Sequence, residues 1–104
     1  MKINFEVDIK NNCLFITICK PSITLFASHI AFEEIRPYLN SYEKFTLDLR
    51  QLKEFDSTFI ALLINIFNTL QIQHKKLILV HSSKELLRAL ELYGILKFFE
   101  IEID

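Results

Sequence analysis

The stretch LDLRQLKEFDSTFIALLINIF, residues 47 to 67, passes from a strand pattern into a helix pattern. Its first residues alternate apolar and polar side chains, whereas its second half is the most apolar segment of the chain. Asp56, Ser57 and Thr58 stand at the junction, and short oxygen-bearing side chains are typical of a helix N-cap. We therefore expect a strand followed by a helix that runs from this junction to about Gln73.

The residues before this stretch predict a hairpin. Residues 3 to 9 alternate apolar with polar side chains, and the apolar side chains of residues 14 to 18 do so again. Between them, Lys10-Asn11-Asn12 indicates a tight turn, because asparagine tolerates the left-handed backbone conformation. A helix should then begin at Ser22 or Thr24, and it should end or kink next to a proline at residue 37.

The residues on either side of the central helix predict strands. Phe45, Leu47 and Leu49 alternate with polar residues, which places Asp48 on the outward side of a third strand. The unbroken apolar run of residues 77 to 80 is typical of a strand covered on both faces.

The end of the chain predicts a third helix and a last strand. Ser82 or Ser83 is a suitable N-cap, and Gly94 stands where a helix C-terminus favours a left-handed residue. Residues 99 to 103 alternate again. The order β-β-α-β-α-β-α-β predicts an α/β fold, with helices packed against a mixed sheet.

Composition limits the class of protein. A chain of 104 residues with 51% hydrophobic residues is long enough for one domain, which we place at residues 1–104. The net charge of -1 and the absence of a dense basic block argue against a nucleic-acid partner. The N-terminus does not resemble a secretory signal, and the longest apolar run, residues 59 to 66, is far shorter than the roughly 20 residues of a membrane span. We expect a cytoplasmic protein that does not insert into a membrane.

The residue types that carry most enzyme chemistry are few and scattered. Cys13 and Cys19 lie on one predicted strand about 20 Å apart, too far for a disulfide between them. The three histidines show no paired-ligand spacing, so no metal site is predicted. A single glycine rules out the glycine-rich nucleotide-binding loops. We expect no catalytic residues, no cofactor and no enzyme activity.

Several segments together resemble the STAS domain, the fold of anti-sigma factor antagonists. They are Leu47-Asp48-Leu49, Phe55-Asp56-Ser57, residues 60 to 63, residues 77 to 80, residues 90 to 94 and Phe98-Phe99. The resemblance implies a STAS-like mixed sheet with helices packed against it. In that family, the hydroxyl residue directly after the aspartate is phosphorylated by a partner kinase that is also the anti-sigma factor. The matching residue is Ser57, and Thr58 is the second choice.

The resemblance also implies a mode of regulation. The unmodified domain binds the anti-sigma factor, and phosphorylation releases it. A phosphate adds about 1.5 to 2 negative charges, which a helix N-terminus tolerates but an apolar interface cannot bury unpaired. The predicted partner-binding surface contains Asp56, Ser57 and Thr58.

Three apolar residues beside this junction leave two interpretations open. Phe59, Leu62 and Ile66 form a second apolar stripe on the predicted helix, beside its core stripe. They either pack against a neighbouring helix or form an exposed patch that binds a partner. The family commonly has glycine at the position of Phe59, and a large ring there suggests a different partner or a different way of docking.

A second function is implied by the same resemblance. Stand-alone STAS domains of similar length also bind the ATPase subunit of a bacterial ABC transporter that moves phospholipids to maintain outer-membrane asymmetry. In that case the junction and the second helix would hold the ATPase, and no phosphorylation cycle is needed. A permanent apolar interface would fit Phe59 slightly better than a transient one.

Overall fold

The computed structural model describes residues 5–19, 22–23 and 25–102. Seven strands and three α-helices alternate along this part of the chain: β1 (Phe5–Lys10), β2 (Cys13–Ile18), β3 (Ser22–Ile23), α1 (Leu25–Ile35), β4 (Lys44–Asp48), β5 (Glu54–Phe55), α2 (Ser57–Ile72), β6 (Lys76–Val80), α3 (Lys84–Leu92) and β7 (Glu100–Glu102). Two 3-10 turns, Arg36–Tyr38 and Leu96–Phe98, follow α1 and α3.

Five of the strands form one mixed sheet in the order β1-β2-β4-β6-β7. Strands β1 and β2 are antiparallel, and every other neighbouring pair is parallel. The connections through α1, α2 and α3 each advance by one strand in the same direction. Since such crossovers are right-handed, all three helices lie on the same face of the sheet. The predicted mixed α/β fold is confirmed.

The hairpin turn is also confirmed. Asn11 and Asn12 have φ values of 52° and 60°, and they connect β1 directly to β2. Two consecutive positive φ values are what a tight hairpin requires, and asparagine adopts them at lower cost than most residues.

The hydrophobic core lies between the sheet and the helices. Leu14 and Ile16 of β2, Leu47 of β4 and Leu79 of β6 are each fully buried on this side. The helices cover them with buried side chains that belong to the same cluster: Ala31, Ile35, Leu63, Leu70, Leu86 and Leu90. The period-two and helical patterns of the sequence therefore meet in one apolar layer.

A second, two-stranded pairing was not predicted from the sequence. Ser22–Ile23 and Glu54–Phe55 form a short parallel pair. Ser22 is thus part of a strand and does not cap α1, while the other predicted cap, Thr24, lies outside the described residues. This pair fixes the segment that leads into α2 close to the segment that leads into α1.

Two of the three helices end at the residue types that the sequence predicts, and the third does not. α1 ends at Ile35, before Pro37, as predicted. Gly94 follows α3 with φ 73°, and its N–H and that of Ile95 donate to the last carbonyls of the helix. α2 ends in the same way, but its left-handed residue is His74, with φ 59°.

Some predicted features lie outside the described residues. They include Ile3 of the first strand and Ile103 of the last strand. Within residues 5–19, 22–23 and 25–102, no helix is both long enough and apolar enough to cross a membrane.

Candidate functional site

The first turn of α2 is organised by Asp56. This residue has an extended backbone, with φ -128° and ψ -170°, and its side chain accepts a hydrogen bond from the Thr58 N–H at 2.9 Å. The same carboxylate oxygen accepts a hydrogen bond from the Thr58 hydroxyl. Asp56 is therefore the N-cap, and the prediction that Asp56 or Ser57 caps this helix is confirmed for Asp56.

Ser57 and Thr58 are presented differently. Ser57 is the first residue of α2 and is exposed, whereas Thr58 is partly buried and its hydroxyl is directed to Asp56. The two neighbouring hydroxyls are therefore not equivalent. Ser57 offers its side chain to solvent at the positive end of the helix dipole.

The apolar stripe beside Ser57 is part of the core. Phe59, Leu62 and Ile66 are exposed by only 0%, 2% and 0%. The ring of Phe59 lies 6.0 Å from that of Phe55, and α2 packs extensively against α1. The interpretation in which these residues form an exposed partner-binding patch is wrong, because the neighbouring helix covers them.

Because it is buried, Phe59 takes no part in a partner interface. The ring fills space inside the domain, so it does not stand where a partner's backbone would approach. Phe59 therefore gives no support to a permanent apolar interface. Of the six residues predicted to bind a partner, Ser57 is exposed and Asp56 and Thr58 are partly exposed, whereas the other three are buried.

Asp48, the last residue of β4, forms a hydrogen bond with the loop that follows the strand. Its position on the side opposite the helices is as predicted, but it is buried, with 7% exposure. Its carboxylate accepts a hydrogen bond from the backbone N–H of Arg50 at 2.9 Å. The carboxylate therefore turns back onto its own loop.

A groove lies at the carboxyl ends of β4 and β6, the edge of the sheet from which the loop to α2 also leaves. Arg50 Nη2 lies 2.6 Å from His81 Nε2, and His81 adopts φ 55°. The groove has a volume of about 780 Å³ and is lined by Leu49, Arg50, Leu52, Lys53, His81, Ser82, Ser83 and Glu85. No pattern in the sequence connects Arg50 with His81, which is 31 residues away, because only the pairing of β4 with β6 brings them together.

The groove carries more positive than negative side chains, with Arg50 and Lys53 against Glu85. In the part of the chain that the structure describes, His, Cys, Asp and Glu side chains form no group of three that could hold a metal ion. Cys13 and Cys19 are both free cysteines. His81 lies in the loop after β6, and the hydroxyl of Ser83, one of the two predicted caps, caps α3 by accepting from the Leu86 N–H at 3.1 Å.

The structure is a small α/β domain, with a mixed sheet, three helices on one face and an exposed serine at the start of α2. The family model described as "Mlab, STAS domain" matches residues 25–100. The chain therefore belongs to the STAS domain family. No curated protein sequence matches it.

Solved structures support the same fold. An anti-sigma factor antagonist (STAS) domain protein from Planctomyces limnophilus superposes with a TM-score of 0.83 at 16% identity, covering 93% of this chain and 87% of that one. The anti-sigma factor antagonist SpoIIAA in its unphosphorylated form gives a TM-score of 0.76 at 13% identity, with coverages of 97% and 89%. SpoIIAA from Bacillus in the phosphorylated form gives 0.75 at 12% identity, with coverages of 97% and 93%.

Proposed function

We propose that this chain is a non-enzymatic regulatory domain that binds a partner protein through the first turn of α2 and is controlled by phosphorylation of Ser57. The partner is an anti-sigma factor that also acts as the serine kinase. Asp56, Ser57 and Thr58 form the docking site, and the process takes place in the cytoplasm.

One observation carries this proposal. Of the two neighbouring hydroxyls at the helix start, Ser57 is exposed while Thr58 is held by Asp56. A kinase must reach a hydroxyl that is accessible, so Ser57 is the better substrate. The bond from Thr58 to Asp56 also keeps the cap rigid, which presents Ser57 in a fixed position.

Phosphorylation at this position would alter binding more than folding. A helix N-terminus stabilises negative charge, so a phosphate on Ser57 does not oppose the folded state. In a partner interface the same dianion would lie beside the carboxylate of Asp56 and would lose its water, and both effects weaken the complex. SpoIIAA, which shares the fold, is described in both unphosphorylated and phosphorylated forms, and this supports the proposal by analogy.

A second candidate function is favoured by the description of the matching family model. In this alternative, the domain is an accessory subunit that binds the ATPase of an ABC transporter that moves phospholipids for outer-membrane asymmetry. The same exposed turn of α2 would form the contact, and Ser57 would stay unmodified. Its support is the family model, since Phe59 no longer argues for it.

One affinity experiment separates the two functions. The purified protein is used as bait in extract of its own cells, and the captured partners and the Ser57 peptide are identified by mass spectrometry. A captured serine kinase together with phosphate on Ser57 supports the switch. A captured ABC ATPase with unmodified Ser57 contradicts the switch and supports the transporter subunit.

Variants of the bait then test the docking site. Ser57→Asp should reduce capture of either partner by about tenfold or more, because a contact at this turn would have to desolvate an added charge beside the Asp56 carboxylate. Ser41→Asp is the matched control, since Ser41 is also an exposed serine but lies before β4. Equal capture by both variants would show that the partner docks elsewhere.

A further inference from the structure

The groove at the carboxyl ends of β4 and β6 is lined by two cationic side chains that have no anionic partner. Arg50 and Lys53 both lie on the loop after β4, and both are exposed. Within residues 5–19, 22–23 and 25–102, no carboxylate forms an ion pair with either of them. Two positive charges in one groove raise the local potential and attract a negatively charged ligand.

Contacts with neutral groups hold the two cationic side chains in place. Nη2 of Arg50 lies 2.6 Å from Nε2 of His81, and because an arginine can only donate, Nε2 is the unprotonated nitrogen of that ring. The ammonium group of Lys53 donates to the backbone carbonyl of Arg50 at 3.3 Å. Neither contact neutralises a charge, but both order a long side chain, and this lowers the entropy cost of binding a ligand.

The groove also contains a hydroxyl without a partner. Oγ of Ser82 is buried and makes no hydrogen bond within the part of the chain that the structure describes. Ser82 lines the groove and is partly exposed, so a rotation about its single side-chain bond turns the hydroxyl toward a ligand there. A buried hydroxyl that lacks a partner destabilises the fold, and an acceptor oxygen in the groove would remove this cost.

Helix α3 begins at the same groove. Ser83 is its N-cap and also lines the groove, and the Ser83 hydroxyl accepts from the Leu86 N–H. The remaining N–H groups of the first turn make the helix N-terminus favourable for negative charge. The guanidinium, ammonium, hydroxyl and helix N-terminus are all hydrogen-bond donors, so together they suit a ligand that has a negative charge and several acceptor oxygens.

We propose that this groove binds a phosphate monoester, with Arg50 and Lys53 as charged donors and Ser82 as a neutral donor. A phosphate monoester carries about 1.5 to 2 negative charges and three acceptor oxygens at neutral pH. The groove volume of about 780 Å³ leaves space for the group that bears the phosphate. That group is either a small metabolite or a phosphorylated residue of a partner protein, since both present the same phosphate. The site does not depend on the proposed role of Ser57.

A titration of the full chain with inorganic phosphate, followed by amide NMR signals at constant ionic strength, tests the site. The signals of residues 49–53 and 81–86 should shift and saturate with a dissociation constant of about 1 mM or lower. Glycerol phosphate and a short phosphoserine peptide then distinguish the two sources, since the natural ligand should resemble the tighter binder. Shifts that do not saturate, or that spread to the start of β4 and β6, overturn the proposal.

Removal of single positive charges tests the two charged donors. Arg50→Gln should raise the dissociation constant for inorganic phosphate by about tenfold or more, and Lys53→Gln by about threefold, because each loses a charge-assisted hydrogen bond. Lys44→Gln is the matched control, since it removes the same charge at the other end of β4, and it should change the constant by less than about twofold. All three residues are exposed, so each variant should fold. Equal phosphate binding by Arg50→Gln and Lys44→Gln would overturn the proposal.

Two further variants should give effects that a damaged fold cannot produce. Glu85 is the acidic residue that lines the groove, so Glu85→Gln should lower the dissociation constant by about threefold. Ser82→Ala should raise it by about threefold, yet it should not lower the free energy of unfolding without phosphate, because it removes a buried hydroxyl that has no partner. Weaker binding by Glu85→Gln, or unchanged binding by Ser82→Ala, would overturn this assignment of the donors.

Discussion

Helix α2 has a buried side and an exposed first turn. Packing restricts the residues on the buried side, whereas it hardly restricts those in the first turn. Phe59, Leu63 and Ile66 are fully buried, and any change of volume there is felt by the sheet and by α1. Ser57 is exposed and contributes little to packing. One helix thus separates the residues that hold the fold together from the residue that we propose is modified, and substitutions along α2 test this separation.

The largest effect is expected from Phe59→Ala. Removing a fully buried ring should lower the free energy of unfolding by about 3–5 kcal/mol, because the transfer free energy of the ring is lost and a cavity remains. Ile72→Ala, on the same helix, should change it by less than about 0.5 kcal/mol, because Ile72 is 81% exposed. Urea unfolding measures both. A loss below about 1 kcal/mol for Phe59→Ala would contradict the placement of this ring in the core.

Loss of the N-cap of α2 should have an intermediate effect on stability. Asp56→Ala removes the acceptor for the Thr58 N–H and hydroxyl and should cost about 1 kcal/mol. Asp56→Asn keeps a side-chain oxygen at the N-cap and should cost less. Thermal unfolding compares the two variants, and an equal loss would mean that charge matters more than the hydrogen bond.

A gain in stability is expected from a substitution at the C-terminal end of α2. His74 occupies the left-handed position after α2 with φ 59°, where glycine has no steric cost. His74→Gly should raise the free energy of unfolding by about 0.5–1 kcal/mol. The reverse change, Gly94→Ala after α3, should lower it by about 1 kcal/mol. An added Cβ on Gly94 meets no atom within 4 Å, so strain in φ is the only cost.

The smallest effect on stability is expected at Ser57. Ser57→Ala should stay within about 0.5 kcal/mol of wild type, and Ser57→Asp should be neutral or stabilising by a few tenths of a kcal/mol, since a carboxylate near a helix N-terminus is favourable. Urea unfolding again provides the measurement. Unfolding of Ser57→Asp would mean that this hydroxyl is structural, and the proposed switch would lose its basis.

The parts of the fold that were predicted correctly depend on neighbours in sequence. Alternation in β1, β2 and β4, the turn at Asn11-Asn12, the cap at Asp56 and the left-handed Gly94 all follow from a few adjacent residues. The start and end of α2 agree with the prediction to within a residue. Local steric and hydrogen-bonding preferences decide these features, so the sequence reveals them directly.

The features that were missed depend on contacts between distant segments. The sequence showed that Phe59, Leu62 and Ile66 form a stripe, but only the packing of α1 against α2 showed that the stripe is covered. His74 lacks the residue type usually found at a left-handed helix end, and Asp48 follows a strand pattern that says nothing about the loop that buries its carboxylate. The short pair of β3 and β5 joins two-residue strands that carry no detectable periodicity.

The sequence by itself determined the order of the five sheet strands and three helices, the family resemblance and the position of the hydroxyl residues at the start of α2, because each is encoded by short-range pattern. The tertiary structure alone decided which apolar residues of α2 remain accessible and that Arg50 meets His81. Strand register and helix packing bring together residues far apart in the chain, and such distances leave no periodic signal in the sequence.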